Sequence, residues 1–289
     1  MEARIISVLS THCLAASGEK TVRCSFRGRG RRGSSLVHSG DFVELLSKGE
    51  DFVIDRVLER KNLMVRPKVA NVDQVVLVTA IERPPIDLLY LDRLLVHLEA
   101  QDIDSVICIN KSDVEDPVEI ERTGAIYRGA GYPVVVTSAM TGEGLQSLVD
   151  AIQGNNGVLA GASGVGKSKI LSRLLAMDLS TRALSRQGRG RHTTIGVTLY
   201  RVGGSGFLAD TPGFSKLDVV ECEPEKLSYY YREMTDLVPL CHYPRCLHKT
   251  EDQCEVRKAV SDGRIGDDRY KSYLKLLEEC QEKGKRKYE

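Results

Sequence analysis

Gly161-Ala162-Ser163-Gly164-Val165-Gly166-Lys167-Ser168 fits G-x-x-x-x-G-K-[ST]. Glycines at this spacing let the backbone curl until its N–H groups face phosphate oxygens at the start of a helix. Lys167 is then placed to neutralise β- and γ-phosphates, the Ser168 hydroxyl to coordinate Mg²⁺, and Lys169 to extend the nucleotide-binding run. The base is chosen elsewhere. In Asn110-Lys111-Ser112-Asp113 the Asp113 carboxylate can accept two hydrogen bonds from the N1–H and exocyclic amine of guanine, a donor pair that adenine lacks at that edge. Asn110 and Lys111 hold the loop and cover the base plane. Thr137-Ser138-Ala139 supplies a second loop, with Ser138 at its turn and the Ala139 N–H directed to guanine O6.

Asp210-Thr211-Pro212-Gly213 fits D-x-x-G, which sets Asp210 behind the Mg²⁺ and offers the Gly213 N–H to a γ-phosphate. Gly188-Arg189-Gly190-Arg191-His192-Thr193-Thr194 lies between this motif and the phosphate loop. Either Thr193 or Thr194 can complete the Mg²⁺ shell. The position after Gly213, where Ras-like enzymes place a water-orienting Gln, is Phe214, so intrinsic hydrolysis is expected to be slow. His192 has two readings: it positions water once a partner orders the loop, or it is a solvated histidine contacting RNA.

A second constellation binds metal. Cys241-x₄-Cys246-x-His248-x₅-Cys254 offers three thiolates and one imidazole, a tetrahedral set for one structural Zn²⁺. Adjacency to Cys241 makes His242 an awkward ligand. Cys13, Cys24, Cys108, Cys222 and Cys280 are scattered and read as packing residues.

The elements that must hold these groups change rhythm along the chain. Ile5–Val8, Thr21–Phe26, Asp41–Leu45 and Phe52–Ile54 are short period-two runs, consistent with a five-stranded antiparallel barrel of the oligonucleotide-binding (OB) type. Apolar strands at 73–78, 105–109, 133–136 and 158–160 then alternate with helical patterns at 91–101 and 144–152, which indicates a parallel sheet covered on both faces. Helical patterns at 255–262 and 267–287 follow the cysteine cluster. The expected domains are 1–68, 69–222 and 223–289.

Charge divides along the same lines. The 289 residues carry 41 Lys+Arg and 40 Asp+Glu, a net of +1, which excludes a uniformly basic protein. Counted by domain the balance is +5, −4 and 0. The surplus includes Arg23, Arg27, Arg29, Arg31 and Arg32 in an acid-free window, 20–33, whose glycines suggest a flexible loop or hairpin tip. These arginines are the candidate phosphate contacts for RNA, with binding expected to weaken in salt through the barrel. With 42% hydrophobic residues, no bilayer-length apolar run and no secretory signal, the chain reads as soluble and cytoplasmic, and eight cysteines in a reducing compartment favour metal ligation over disulfides.

Motif order points to a family. A Ras-like GTPase meets its phosphate loop first, whereas here N-K-S-D and T-S-A precede it. With the basic front barrel, G-R-G-R-H-T-T and the cysteine cluster, the chain resembles the bacterial RsgA (YjeQ/YloQ-type) family of circularly permuted GTPases. Ile195 departs from a third Thr common in that family. The resemblance implies a multidomain α/β protein with an N-terminal OB-fold barrel, a permuted P-loop GTPase domain on a Ras-like doubly wound sheet, and a C-terminal helical zinc-binding domain. It further implies hydrolysis of GTP to GDP with Mg²⁺, stimulation by the small (30S) ribosomal subunit in late maturation, contacts of barrel and zinc module with 16S rRNA, and the water-positioning role for His192. A monomer without membrane contact is expected. The rivals are a GTP-dependent factor acting on another RNA and an RNA-binding module that uses GTP as a slow conformational ligand.

Overall fold

The computed structural model describes residues 1–26, 37–49, 51–65, 68–152, 154–181, 197–204, 206–210 and 220–286. The N-terminal strands are β1 (Glu2–Val8), β2 (Cys13–Ser17), β3 (Lys20–Phe26), β4 (Phe42–Lys48) and β5 (Asp51–Val57), and they form a closed barrel in the order β1-β2-β3-β5-β4. β3 meets β5 in parallel, Cys24 opposite Phe52, and the other pairings are antiparallel. Alternate residues point inward, so Ile5, Cys13, Ala15, Cys24, Val43, Leu45 and Ile54 make the barrel core.

Two differences from the sequence reading stand out here. β2, Cys-Leu-Ala-Ala-Ser, has no β-branched residue to announce it; pairing with β1 and β3 on its two sides overrides weak propensity. The 20–33 window is not one loop: its first half, Lys20–Phe26, is β3, as the period-two run Thr21–Phe26 indicates, and exposed Arg23 sits opposite Leu14 in the ladder. Arg27, Arg29, Arg31 and Arg32 lie outside the described residues.

A short antiparallel hairpin, β6 (Leu63–Val65) and β7 (Lys68–Ala70), leads into the α/β part. That part comprises β8 (Gln74–Thr79), α1 (Leu88–Glu99), β9 (Asp104–Asn110), α2 (Pro117–Gly129), β10 (Val134–Thr137), α3 (Leu145–Ile152), β11 (Asn156–Ala160), α4 (Lys167–Thr181), β12 (Leu199–Val202) and β13 (Gly206–Asp210). Its strand order is β10-β9-β8-β11-β13-β12. Every residue of β8 and β11 is buried, as expected of strands covered on both faces. β10 runs parallel to β9 and β11 to β13, but β12 is an antiparallel edge. Unannounced α2 starts with Asp116 capping the Val118 N–H at 2.9 Å and Pro117 in the first turn. The C-terminal helices are α5 (Arg232–Thr235), α6 (Glu255–Ser261) and α7 (Asp267–Arg286). Among the described residues no helix is long and apolar enough to cross a membrane.

The chain divides into two compact units, Met1–Val75 with Leu145–Ala160 and Gly166–Phe214, and Val76–Gly144 with Gly161–Val165 and Ser215–Glu289. In the first, the barrel is bonded to the residues that enter β12. Ser39 Oγ donates to the Val197 carbonyl at 2.5 Å, and the Ser7 and Thr198 hydroxyls lie 3.2 Å apart. The Arg4 guanidinium covers the Phe42 ring at 4.4 Å and the Phe207 ring at 5.3 Å.

In the second unit α7 shares a core with α1, where Val96 of α1 joins Tyr231, Met234, Tyr273, Leu276 and Leu277. Inside that core lies Arg269, its side chain 1% exposed. It donates to Asp92 Oδ1 at 2.5 Å and, by two nitrogens, to Glu233 at 2.7 and 3.1 Å, while Tyr127 donates to Asp92 at 3.0 Å. Burial pushes the Asp92 carboxyl up, and Arg269, Ser272 and Tyr127 pull the other way. Removing one member leaves an uncompensated buried charge, so Arg269→Ala is expected to destabilise the fold by about 3–5 kcal/mol. The urea midpoint measures this; a midpoint unchanged from wild type contradicts it.

Candidate nucleotide site and metal centre

β11 ends at Ala160 and α4 begins at Lys167, so the phosphate-loop pattern occupies a strand-to-helix turn as the sequence requires. Gly161, Gly164 and Gly166 have φ of +137°, +83° and +104°, and a Cβ on Gly161 would sit 2.0 Å from the Val78 carbonyl oxygen. No other residue type fits there. The Gly166 carbonyl accepts from the Lys169 and Ile170 N–H groups at 3.1 and 2.9 Å, which starts the helix and places Lys167, Ser168 and Lys169 in its first turn. Ala162, Ser163 and Val165 complete the loop.

Asn110 is the hub of the loops that carry N-K-S-D and T-S-A. It ends β9, is 1% exposed, and its Nδ2 donates to the Val165 carbonyl at 2.8 Å. Its Oδ1 accepts from the Ala139 N–H at 3.1 Å and from Thr137 Oγ at 3.2 Å. One buried amide thus joins N-K-S-D to T-S-A and to Val165 of the phosphate loop, motifs that lie 29 and 55 residues away in sequence. Lys111 adopts φ +74°, a conformation that costs a non-glycine residue about 1 kcal/mol or more, and its Nζ donates to the Arg83 carbonyl. Asp113 is exposed, with Oδ1 accepting from Ser138 Oγ at 2.5 Å. Ser138 Oγ in turn accepts the Met140 and Thr141 N–H groups at 3.2 and 3.1 Å, and Ser112 Oγ reaches Glu143 at 3.5 Å. One contributor had no motif to reveal it: Glu115, which accepts the Glu82 N–H at 2.9 Å and so shapes the neighbouring turn.

Asp210 is the last residue of β13, with its backbone opposite Leu159. Gly213, Phe214, His192, Thr193 and Thr194 lie outside the described residues.

The metal ligands of the sequence pattern do converge. Ligand atoms of Cys241, Cys246, His248 and Cys254 all lie within 4.8 Å of one another. The Cys241 and Cys254 sulfurs are 3.9 Å apart, and His248 Nδ1 lies 3.6 and 3.3 Å from them. A zinc ion with bonds of ~2.3 Å to sulfur and ~2.0 Å to nitrogen requires ligand separations of roughly 3.5–3.8 Å, so the donor set fits, with Nδ1 the nitrogen that faces the sulfurs. Burial pushes the Cys246 thiol up to about 12 and the His248 imidazole down. Neutral imidazole suits a metal, and a thiol as resistant to ionisation as that of Cys246 needs a cation to become a thiolate. His242 is exposed, stacked edge-on against Tyr243 and outside the cluster.

The knuckle is held by residues the motif does not include. Both Glu251 oxygens accept backbone N–H groups, from Leu247 at 2.8 Å and from Lys249 and Thr250 at 2.8 and 3.0 Å. Burial raises the Glu251 carboxyl, but these bonds outweigh it and hold it below its usual range. From α7, Tyr270 and Tyr273 donate to the carbonyls of His248 and Leu247 at 2.6 and 2.8 Å.

The RsgA GTPase family profile matches residues 57–220. The small ribosomal subunit biogenesis GTPase RsgA of Caldanaerobacter subterraneus subsp. tengcongensis is 39% identical, covering 100% of this chain and 98% of its own. That of Halalkalibacterium halodurans is 38% identical over 98% of both chains. Among solved structures, YjeQ from Thermotoga maritima superposes with a TM-score of 0.81 at 34% identity, covering 97% of this chain and 98% of its own. YloQ, a circularly permuted GTPase, gives 0.80 at 32%, covering 98% and 95%. The chain thus has counterparts over its full length in both sequence and structure, and it belongs to the RsgA GTPase family.

Proposed function

We propose that this GTP hydrolase is stimulated by the small (30S) ribosomal subunit and acts late in maturation of that subunit, in the cytoplasm and as a monomer. The observation that carries the nucleotide reading is the Asn110 amide, which bonds Val165 and Ala139 at 2.8 and 3.1 Å and so joins three motifs whose chain order is permuted. The ribosomal part of the reading is supported by relatives named small ribosomal subunit biogenesis GTPase. Residues 1–68 are assigned to RNA binding, 69–222 to GTP hydrolysis and 223–289 to the zinc module.

In this reading the backbone of Gly161–Gly166 and the Lys167 ammonium receive the phosphates. Asp113 accepts the two guanine donors, while the Ala139 N–H turns from Asn110 to O6. Ser168, Asp210 and one of Thr193 and Thr194 hold Mg²⁺, which when bound supplies charge neutralisation across the β- and γ-phosphates. The Gly213 N–H meets the γ-phosphate. Cys241, Cys246, His248 and Cys254 hold one structural Zn²⁺ that fixes the knuckle.

A route from RNA to hydrolysis is available within the first unit. Ser39 and Ser7 of the barrel are bonded to Val197 and Thr198, three to four residues beyond Thr194. RNA engaging Arg23, Arg27, Arg29, Arg31 and Arg32 bears on the same barrel, and through these bonds on the chain that carries His192. His192→Ala is then expected to lower the subunit-stimulated kcat by about 10²-fold or more, with less change in the subunit concentration needed. The RNA-contact alternative predicts the reverse split, and an unchanged stimulated rate removes His192 from the mechanism. The reading as a whole is tested by GTP turnover with and without purified small subunits.

A further inference from the structure

Cys222 and Cys280 stand outside every motif above, yet their sulfurs are 3.9 Å apart although the two lie 58 positions apart in sequence. Cys280 lies on α7, 3% exposed, and its thiol also faces the Val220 carbonyl at 3.8 Å. Cys222 is half-buried in a stretch without regular structure just ahead of the 3-10 turn Pro224–Tyr230. One sulfur is therefore fixed on a helix, and the other is on backbone free of helical or sheet hydrogen bonds and reachable from solvent. The remaining gap to a covalent bond of ~2.05 Å calls for a side-chain rotation or a small adjustment of the irregular partner.

We propose that Cys222 and Cys280 are a peroxide-responsive thiol pair, in which Cys222 is the attacking sulfur and Cys280 the resolving one. The Cys222 thiolate attacks one oxygen of hydrogen peroxide, the O–O bond breaks, and hydroxide leaves to take up a proton as water. The Cys280 thiol then attacks the resulting sulfenic acid at sulfur, losing its proton as the S–O bond breaks. Two thiols and one peroxide thus give one disulfide and two waters. The division of roles follows from the surroundings. The contact with Cys280 holds the Cys222 thiol below its usual range, against burial and with help from the Lys226 ammonium. Cys280 is held far above it by the same bond and by burial. Transient, redox-responsive disulfides are the kind that reducing compartments permit.

The bond would close a loop containing all four ligands of the knuckle, residues 241–254. It would then hold α7 to the chain before the knuckle, independently of the metal.

The test uses the full-length, zinc-loaded chain treated with one equivalent of hydrogen peroxide, followed by peptide mapping and zinc assay. The expected product is a Cys222–Cys280 cross-linked peptide, two hydrogens lighter than its parts, with zinc retained and the cross-link lost on dithiothreitol treatment. Cys280→Ala is expected to leave a Cys222 sulfenic acid that dimedone traps, whereas Cys222→Ala is expected to leave Cys280 unlabelled. Oxidation confined to Cys241, Cys246 and Cys254 with zinc release overturns the proposal, as does a pair that stays reduced. Dimedone labelling of Cys280 in Cys222→Ala overturns the division of roles.

Discussion

Asp113→Asn is expected to abolish the preference for guanine nucleotides. The carboxylate is exposed at the end of the N-K-S-D loop and anchored through one oxygen by Ser138 at 2.5 Å. In the proposed complex it accepts two donors from the base, and hydrogen bonds to a charged group contribute about 1.5–3 kcal/mol each. An amide can accept one of these and turns a donor toward the other, so the expected loss of GTP affinity is roughly 10²–10⁴-fold. The same substitution is expected to favour xanthosine triphosphate, whose exocyclic oxygen accepts the new N–H. Competition binding with GTP, ATP and xanthosine triphosphate measures both effects, and an unchanged guanine preference contradicts the base-loop assignment. Asn110 sits behind this contact with three hydrogen bonds, and its own substitution would disturb several loops at once. Asp113 is the cleaner probe.

Loss of the proposed zinc is expected to have the second large effect. His248→Ala, or chelation of the zinc-loaded chain, removes the interaction that makes buried thiols ionised. In isolated zinc-finger peptides the apparent contribution is about 10–16 kcal/mol. Here that figure is a ceiling, because α7 has another hold: Arg269 is bonded to Asp92 of α1 and to Glu233, and Tyr273, Leu276 and Leu277 share a core with Val96. The expected outcome is therefore unequal. Amide exchange should rise sharply over residues 241–262, while the central turns of α7 stay protected. Uniform loss of protection across both would show that the α1–α7 core does not stand without metal. No change in either, with zinc gone, would show that the cluster does not depend on it.

What the sequence disclosed depended on how local the signal was. The phosphate loop and the Cys₃His cluster are short patterns whose chemistry fixes residue type, and both take the local geometry the patterns demand. Strands β8, β9 and β11 were legible as continuous apolar runs because both faces are covered. β2 was not, since Ala15 and Ala16 carry no strand preference and are placed by their neighbours. Thr21–Phe26 was legible as a period-two run, and only the loop reading of the 20–33 window overlapped it wrongly: positive charge and nearby glycines mark turns, yet charge also suits the outer face of a barrel strand such as that of Arg23. Supporting residues were the least visible. Glu251 binds three backbone N–H groups across one turn, and the Arg269–Asp92 pair spans 177 residues; neither leaves a spacing that a reader of the chain could recognise.

In the proposed function, a GTPase site with permuted motif order is driven by ribosomal RNA held elsewhere on the same chain. The direct measurement is the GTP turnover of the full chain with purified small ribosomal subunits, large subunits, or neither. The predicted result is stimulation of at least about tenfold by small subunits alone, below the ~10³–10⁵ that dedicated activating partners give GTPases, and its loss in Asp113→Asn. Equal turnover in all three samples would contradict it.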